Sequence, residues 1–132
     1  MNGGIMLAVL RIVSGLLFLQ HGTTKFLSFP AGPMAGSGPA FANMGAYAGI
    51  VELVCGLLIT IGLFTRAAAF LASGTMAYAY WFWHFSFASP FPIYNQGELA
   101  IMFCFVFLYL VFAGAGPLSV DAARASKAPP PA

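Results

Sequence analysis

The sequence predicts an all-α integral membrane protein, a bundle of four transmembrane helices with both termini in the cytoplasm. Three observations carry that expectation. Hydrophobic residues fill 61% of the 132 positions and charged residues only 6%, against about 25% in soluble domains, so ionisable side chains are too few to coat a water-facing globule. Four stretches approach the roughly 20 apolar residues that a bilayer core demands, with Gly- and Pro-rich breaks between them. Lys and Arg gather at one end of those stretches, the asymmetry that sets orientation in a membrane. The net charge of +2 points away from nucleic acid and leaves the lipid bilayer as the expected partner.

The first span is expected near residues 5–26. It is too long for the apolar region of a signal peptide and reads as a retained helix. "SFPAGPMAGSGPAFAN" cannot continue a helix and forms a loop. The second span is expected near 44–63 and ends in the tight turn "GLFTR". The third, near 67–85, closes on the aromatic run "YAYWFWHF", which reads either as an interfacial anchor or as a wall around an apolar ligand. "SFASPFPIYNQG", broken by Pro90 and Pro92, leads to the fourth span near 97–113. Residues 1–118 make up the transmembrane domain, and 119–132, ending in "AARASKAPPPA", read as a disordered cytoplasmic tail. Arg11, Arg66, Arg124 and Lys127 fall on the inner side and only Lys25 on the outer, which places both Pro-rich loops outside. Cys55 and Cys104 sit in apolar runs outside any CxxC or zinc pattern and read as buried free thiols.

Helical spacing sorts the polar residues into stripes. Arg11, Ser14, Phe18, His21 and Lys25 share one face of the first span. Gly45, Gly49, Glu52, Gly56 and Thr60 share one of the second, Ser73, Ala77, Tyr80 and His84 one of the third, and Glu98, Met102, Phe105 and Tyr109 one of the fourth. Small residues let helices approach closely in lipid, so the stripes are expected to face one another around a partly polar interior. At a rise of 1.5 Å per residue, Lys25, His84 and Glu98 fall near the outer ends, His21 about one turn deeper, and Glu52 about 12 Å in. Arg11 and Arg66 can snorkel to the inner headgroups, with Asp121 nearby as a partner.

An acidic residue at mid-bilayer costs on the order of 2.5–3.5 kcal/mol on insertion scales. Glu52 must therefore be neutral or paired, and His21 and Lys25 are its natural partners. His21, Lys25, Glu52, Tyr80, His84 and Glu98 form the candidate ligand site, and His21 with Glu52 forms a candidate proton relay. The bland alternative is a set of ion pairs that fix helix register, Glu98 with Lys25 and Glu52 with His21. No two ligating residues lie at a metal-ligand spacing within one helix, so no metal centre is expected.

Three motifs resemble the DoxX family of small bacterial membrane proteins. "HGTTKFLSFP" is similar to its HGxxKxFGFP segment, "GIVELVCGLLITIGLFTRAAAF" to its GxxELxGGLLLxLGLxTRxAA stretch, and "NQGELAIMFCFVFLYLVFAGAGPLSVD" to its ending. Cys55 and Gln96 stand where glycine is common. The resemblance runs from Leu10 to Asp121. It implies a multi-pass four-helix protein of the bacterial inner membrane, with relatives that include the small membrane subunit of thiosulfate–quinone oxidoreductase and redox-stress proteins. By motif it marks His21, Gly22, Lys25, Glu52, Thr65, Arg66, Gly97 and Glu98.

Two functional readings follow. One is a quinone- or redox-linked membrane subunit, in which aromatic walls and a few hydrogen-bonding groups hold a quinone head. The chain has no nucleotide, haem or iron–sulfur motif, so electron chemistry would need a bound cofactor or a partner. The other is a non-enzymatic accessory or scaffold subunit of a larger membrane complex, or a small-solute transport module. Its outer loops, with Phe29, Phe41, Phe87, Phe91 and Tyr94, would dock a protein partner, and a pore would require a homo-oligomer. Whether the chain is an enzyme stays open between the two.

Overall fold

The computed structural model describes residues 2–32, 36 and 44–127. The described residues are all-α: α1 (Gly3–Leu27), α2 (Met44–Ile61), α3 (Thr65–Ala79), α4 (Pro92–Asn95), α5 (Glu98–Ala113) and α6 (Val120–Lys127). The only β feature among them is an isolated bridge between Ser86 and Ser89. By length and composition α1 is the one helix among them that reaches membrane-crossing size, while the apolar segments Ala46–Ile61 and Glu98–Ala113 are shorter.

The α1–α2 hairpin owes its closeness to glycines spaced seven apart on each helix. A Cβ on Gly22 would fall 2.7 Å from the Leu53 nitrogen, and one on Gly56 would fall 2.7 Å from Leu19 Cα. Backbone therefore packs on backbone, as the small-residue rule for helices in lipid anticipates. Phe18 of α1 meets α5 edge-on at Phe103 (5.4 Å between centroids) and Phe107 (4.8 Å). The core also holds Ile59, Leu110 and the alanines Ala68, Ala69 and Ala72 of α3. Ser73 Oγ ties α3 to α5 by donating to the Cys104 carbonyl at 2.8 Å. Both cysteines are free thiols, Cys55 buried and Cys104 half-buried.

Four expectations need correction. The fourth stripe points outward: Glu98, Met102, Phe105 and Tyr109 are all exposed, and α5 buries Ala100, Phe103, Phe107 and Leu110 instead. An almost uniformly apolar helix carries no periodicity to reveal its inner face, so packing against α3 chooses it. The third span is not one α-helix. After Ala79 it widens into a π-helical turn, Tyr80–His84, closed by the Phe85 N–H on the Tyr80 carbonyl at 2.9 Å. The wider turn lets the consecutive rings of Trp81, Phe82 and Trp83 all lie outward.

The segment expected to be a disordered tail from 119 onward is helical over 120–127 and anchored. Asp121 accepts from the Phe64 and Thr65 N–H groups at 2.9 and 3.0 Å, and its own N–H donates to the Gly62 carbonyl at 2.8 Å. Residues 128–132 lie outside the described residues. Lastly, Arg11 does not snorkel. It is fully buried and donates to the carbonyls of Ala115, Pro117 and Leu118, clamping the returning segment onto α1. Arg66 stays exposed and caps α5 through the Val111 and Phe112 carbonyls.

These contacts make two predictions. Arg11→Lys replaces a planar fork with a point donor that cannot span three carbonyls. Thermal unfolding in detergent should show a loss of about 2 kcal/mol, and protease should reach the segment after Ala113 sooner. Burial alone would raise the Asp121 carboxyl, but hydrogen bonds from Thr65 and Phe64, with Arg124 nearby, more than offset it and hold it below its ordinary 3.8. A carboxyl with a lowered folded value stabilises fully above that ordinary value and loses the contribution as pH falls through the folded one. Asp121→Ala should therefore cost about 1 kcal/mol at pH 7, as a lost helix cap does, and the gap from the parent protein should close below pH 3.8 in a pH series of melting curves.

Candidate functional site

Glu52 and Lys25 form a buried ion pair between α2 and α1, with Lys25 Nζ 2.5 Å from Glu52 Oε1 and both side chains under 10% exposed. Of the two partners expected for Glu52, the structure brings Lys25 and not His21. The reason is stagger. Gly49 of α2 packs against Phe26 near the end of α1, so α2 runs on about 6 Å past that end at 1.5 Å per residue. Depth measured from helix ends assumed that they finish level. With the true offset, Lys25 and Glu52 share a layer.

The second carboxylate oxygen, Oε2, is buried without a hydrogen-bond partner among the described residues. Lys25 spends one of its three donors on Oε1. His21, half-buried one turn below Lys25, makes no hydrogen bond among the described residues and packs edge-on against Phe103 at 5.9 Å between centroids. Among the described residues, the centre thus holds an uncommitted acceptor, uncommitted ammonium protons and an imidazole without a hydrogen bond in a low-dielectric layer. Such groups can hydrogen-bond a polar ligand.

Tyr80 and His84 belong to a separate cluster. Asn95, which the sequence reading missed, organises it. Its carbonyl faces His84 Nδ1 at 3.2 Å, its amide nitrogen donates to the Ser89 carbonyl at 3.2 Å and lies 3.4 Å from the Tyr80 hydroxyl, and its Oδ1 accepts from the Gly97 N–H at 2.9 Å. The signal for it was the turn sequence "YNQG", in which an Asn side chain commonly bonds the backbone two residues on. Glu98 is exposed and has no ionic or hydrogen-bond partner among the described residues. The six candidates therefore divide into a charged centre between α1 and α2, a neutral polar cluster at the π-turn, and one outlying carboxylate. No hydrogen bond or ion pair joins the three, so the proposed Glu98–Lys25 and Glu52–His21 pairs do not form. Among the described residues no three His, Cys, Asp or Glu side chains gather to hold a metal ion.

Beside the charged centre lies a cavity of about 310 Å³ between α2 and α3, walled by Val51, Phe70, Tyr78 and Trp83 among others. None of the six candidates lines it. A second hollow, about 470 Å³, borders Arg66, Gly114 and Asp121 at the opposite end.

The DoxX family model matches residues 6–85 of this chain. An uncharacterized protein of Haemophilus influenzae is 49% identical over 73 residues, which cover 55% of this chain and 54% of that protein. An uncharacterized membrane protein of Mycobacterium tuberculosis is 39% identical over 67 residues, 46% of this chain and 39% of that protein. The match thus spans about half the length of the first of these curated relatives and less of the second. No solved structure matches.

Proposed function

We propose, from the premise that this chain belongs to the DoxX family, that it is a multi-pass bacterial inner-membrane protein serving as a quinone- or redox-linked subunit. The membrane assignment is supported by apolar side chains turned outward on every long helix: Val13 and Leu16, Val54 and Leu57, Phe70 and Leu71, Met102 and Phe105. An apolar surface on every long described helix belongs in lipid. The similar mycobacterial protein bears the name of a membrane protein. Arg11, Arg66 and the α6 cations lie on the side where 114–121 folds over α1 and the α2–α3 turn. That end is the cytoplasmic one under the positive-inside rule, with four crossings and both termini inside.

One observation carries the functional reading: the unpartnered Glu52 Oε2 in the buried pair with Lys25. A carboxylate held this deep with an open acceptor is suited to exchanging protons with a reduced or oxidised head group, and His21 continues the relay. The test is quinone analysis of lipid extracted with the purified protein. The parent protein should retain quinone, and Glu52→Gln and His21→Ala should lose it while remaining folded. A parent protein that carries no quinone removes the reading.

The accessory-subunit reading draws support from a different place. Phe87, Phe91, Ile93 and Tyr94 project from the loop before α5, Phe87 at 94% exposure. Phe41, expected to join this surface, lies outside the described residues. If another protein copurifies in fixed proportion, and Phe87→Ser with Phe91→Ser releases it, this surface is a docking face.

A further inference from the structure

Gly74 lies in the wall of the cavity between α2 and α3. Gly15, Gly22, Gly49 and Gly56 each hold the place of a Cβ that would strike a neighbouring helix. Gly74 sits mid-helix in α3, and a Cβ added there meets nothing within 4 Å. Glycine weakens a helix interior relative to alanine, so its presence there calls for a use of the space. None of the described residues fills it. The missing side chain leaves the floor of a groove that runs along α3 from Tyr78 to Phe70, about 12 Å at the helical rise.

The two ends of this groove differ. One end is apolar, with Val51, Phe70 and Leu71. The other carries Tyr47 near the start of α2, then Tyr78 and Trp83, whose rings meet edge-on at 5.8 Å between centroids. Among the described residues the two hydroxyls and the indole N–H have no hydrogen-bond partner. Three donors therefore ring the mouth of an apolar slot, and the slot is complementary to a flat head that bears acceptors, followed by an apolar tail. Ala48 and Val51, which line it, precede Glu52 on α2 by four positions and by one.

We infer that this groove is the binding site for a membrane quinone, with the ring carbonyls at Tyr47, Tyr78 and Trp83 and the isoprenoid tail laid over Gly74 towards Phe70. The inference rests on the quinone-linked reading above and moves the ring away from the His21, His84 and Glu98 positions.

Binding is read from Trp83 fluorescence in a Trp81→Phe background, in detergent, with ubiquinone-1 (a benzoquinone with one isoprene unit) as the probe. Quenching should saturate. Gly74→Leu, which enters open space and should not lower the melting temperature, should weaken half-saturation at least tenfold. Tyr47→Phe with Tyr78→Phe should weaken it several-fold without filling the slot. Unchanged half-saturation in folded Gly74→Leu, while Glu52→Gln abolishes binding, overturns the groove and leaves the quinone-linked reading intact. Non-saturable quenching in the parent protein overturns both. Equal displacement of the probe by dodecylphosphocholine overturns the inference and makes the groove a seat for a lipid chain.

Discussion

Glu52→Leu alone and Lys25→Met alone should each lower stability by about 3–5 kcal/mol, while the double replacement should return to within about 1 kcal/mol of the parent protein. Each single change leaves one charge buried with nothing to answer it, and the double change leaves two apolar side chains of similar volume. Thermal and denaturant unfolding in detergent across the four proteins gives the coupling directly. Additive losses would show that the 2.5 Å contact contributes little beyond packing. The double variant also separates the two roles open to the pair. If the pair only sets helix register, the double variant keeps whatever quinone the parent protein retains. If it handles protons or holds a ligand, the variant folds and loses it.

Gly56→Ala and Gly22→Ala should each cost about 2 kcal/mol or more, at the upper part of what overpacking a tight interior costs. The new methyl would meet backbone: Leu19 Cα and N at 2.7 and 2.8 Å for Gly56, and the Leu53 nitrogen at 2.7 Å for Gly22. Backbone atoms cannot rotate aside, so the two helices must separate, and the Lys25–Glu52 contact between them stretches. Gly74→Ala provides the contrast. It enters open space and should stabilise by about 0.5–1 kcal/mol through helix propensity alone. Melting temperatures of the three variants test the set, and a Gly56→Ala protein as stable as its parent would show that the hairpin tolerates a wider spacing.

The α1 stripe was legible because its members are expensive to expose to lipid. Arg11, Ser14, Phe18 and Lys25 are all buried on one face. Nothing comparable marks α5, which is apolar on every side, and there the stripe came out reversed. Arg11 shows a subtler limit. Its place on that face could be read from helical spacing but its burial could not, because its partners are the carbonyls of residues more than a hundred positions away. The same holds for α6, which looks unstructured in isolation and is fastened by Asp121 to the turn before α3.

The candidate site shows the same division. Composition and the glycine spacing by themselves determined that the chain is all-α, apolar on its outside and closely packed between α1 and α2, because those properties depend on local residue type and helical period. They also singled out Glu52 as the residue most in need of a partner. Which cation answers it was decided only by the tertiary structure, since pairing depends on the stagger between helices. That stagger is set by glycine-to-backbone contacts and not by where each apolar run begins and ends. The groove over Gly74 belongs to that second kind of fact: a glycine in sequence is silent about whether its missing side chain admits another helix or leaves an open slot.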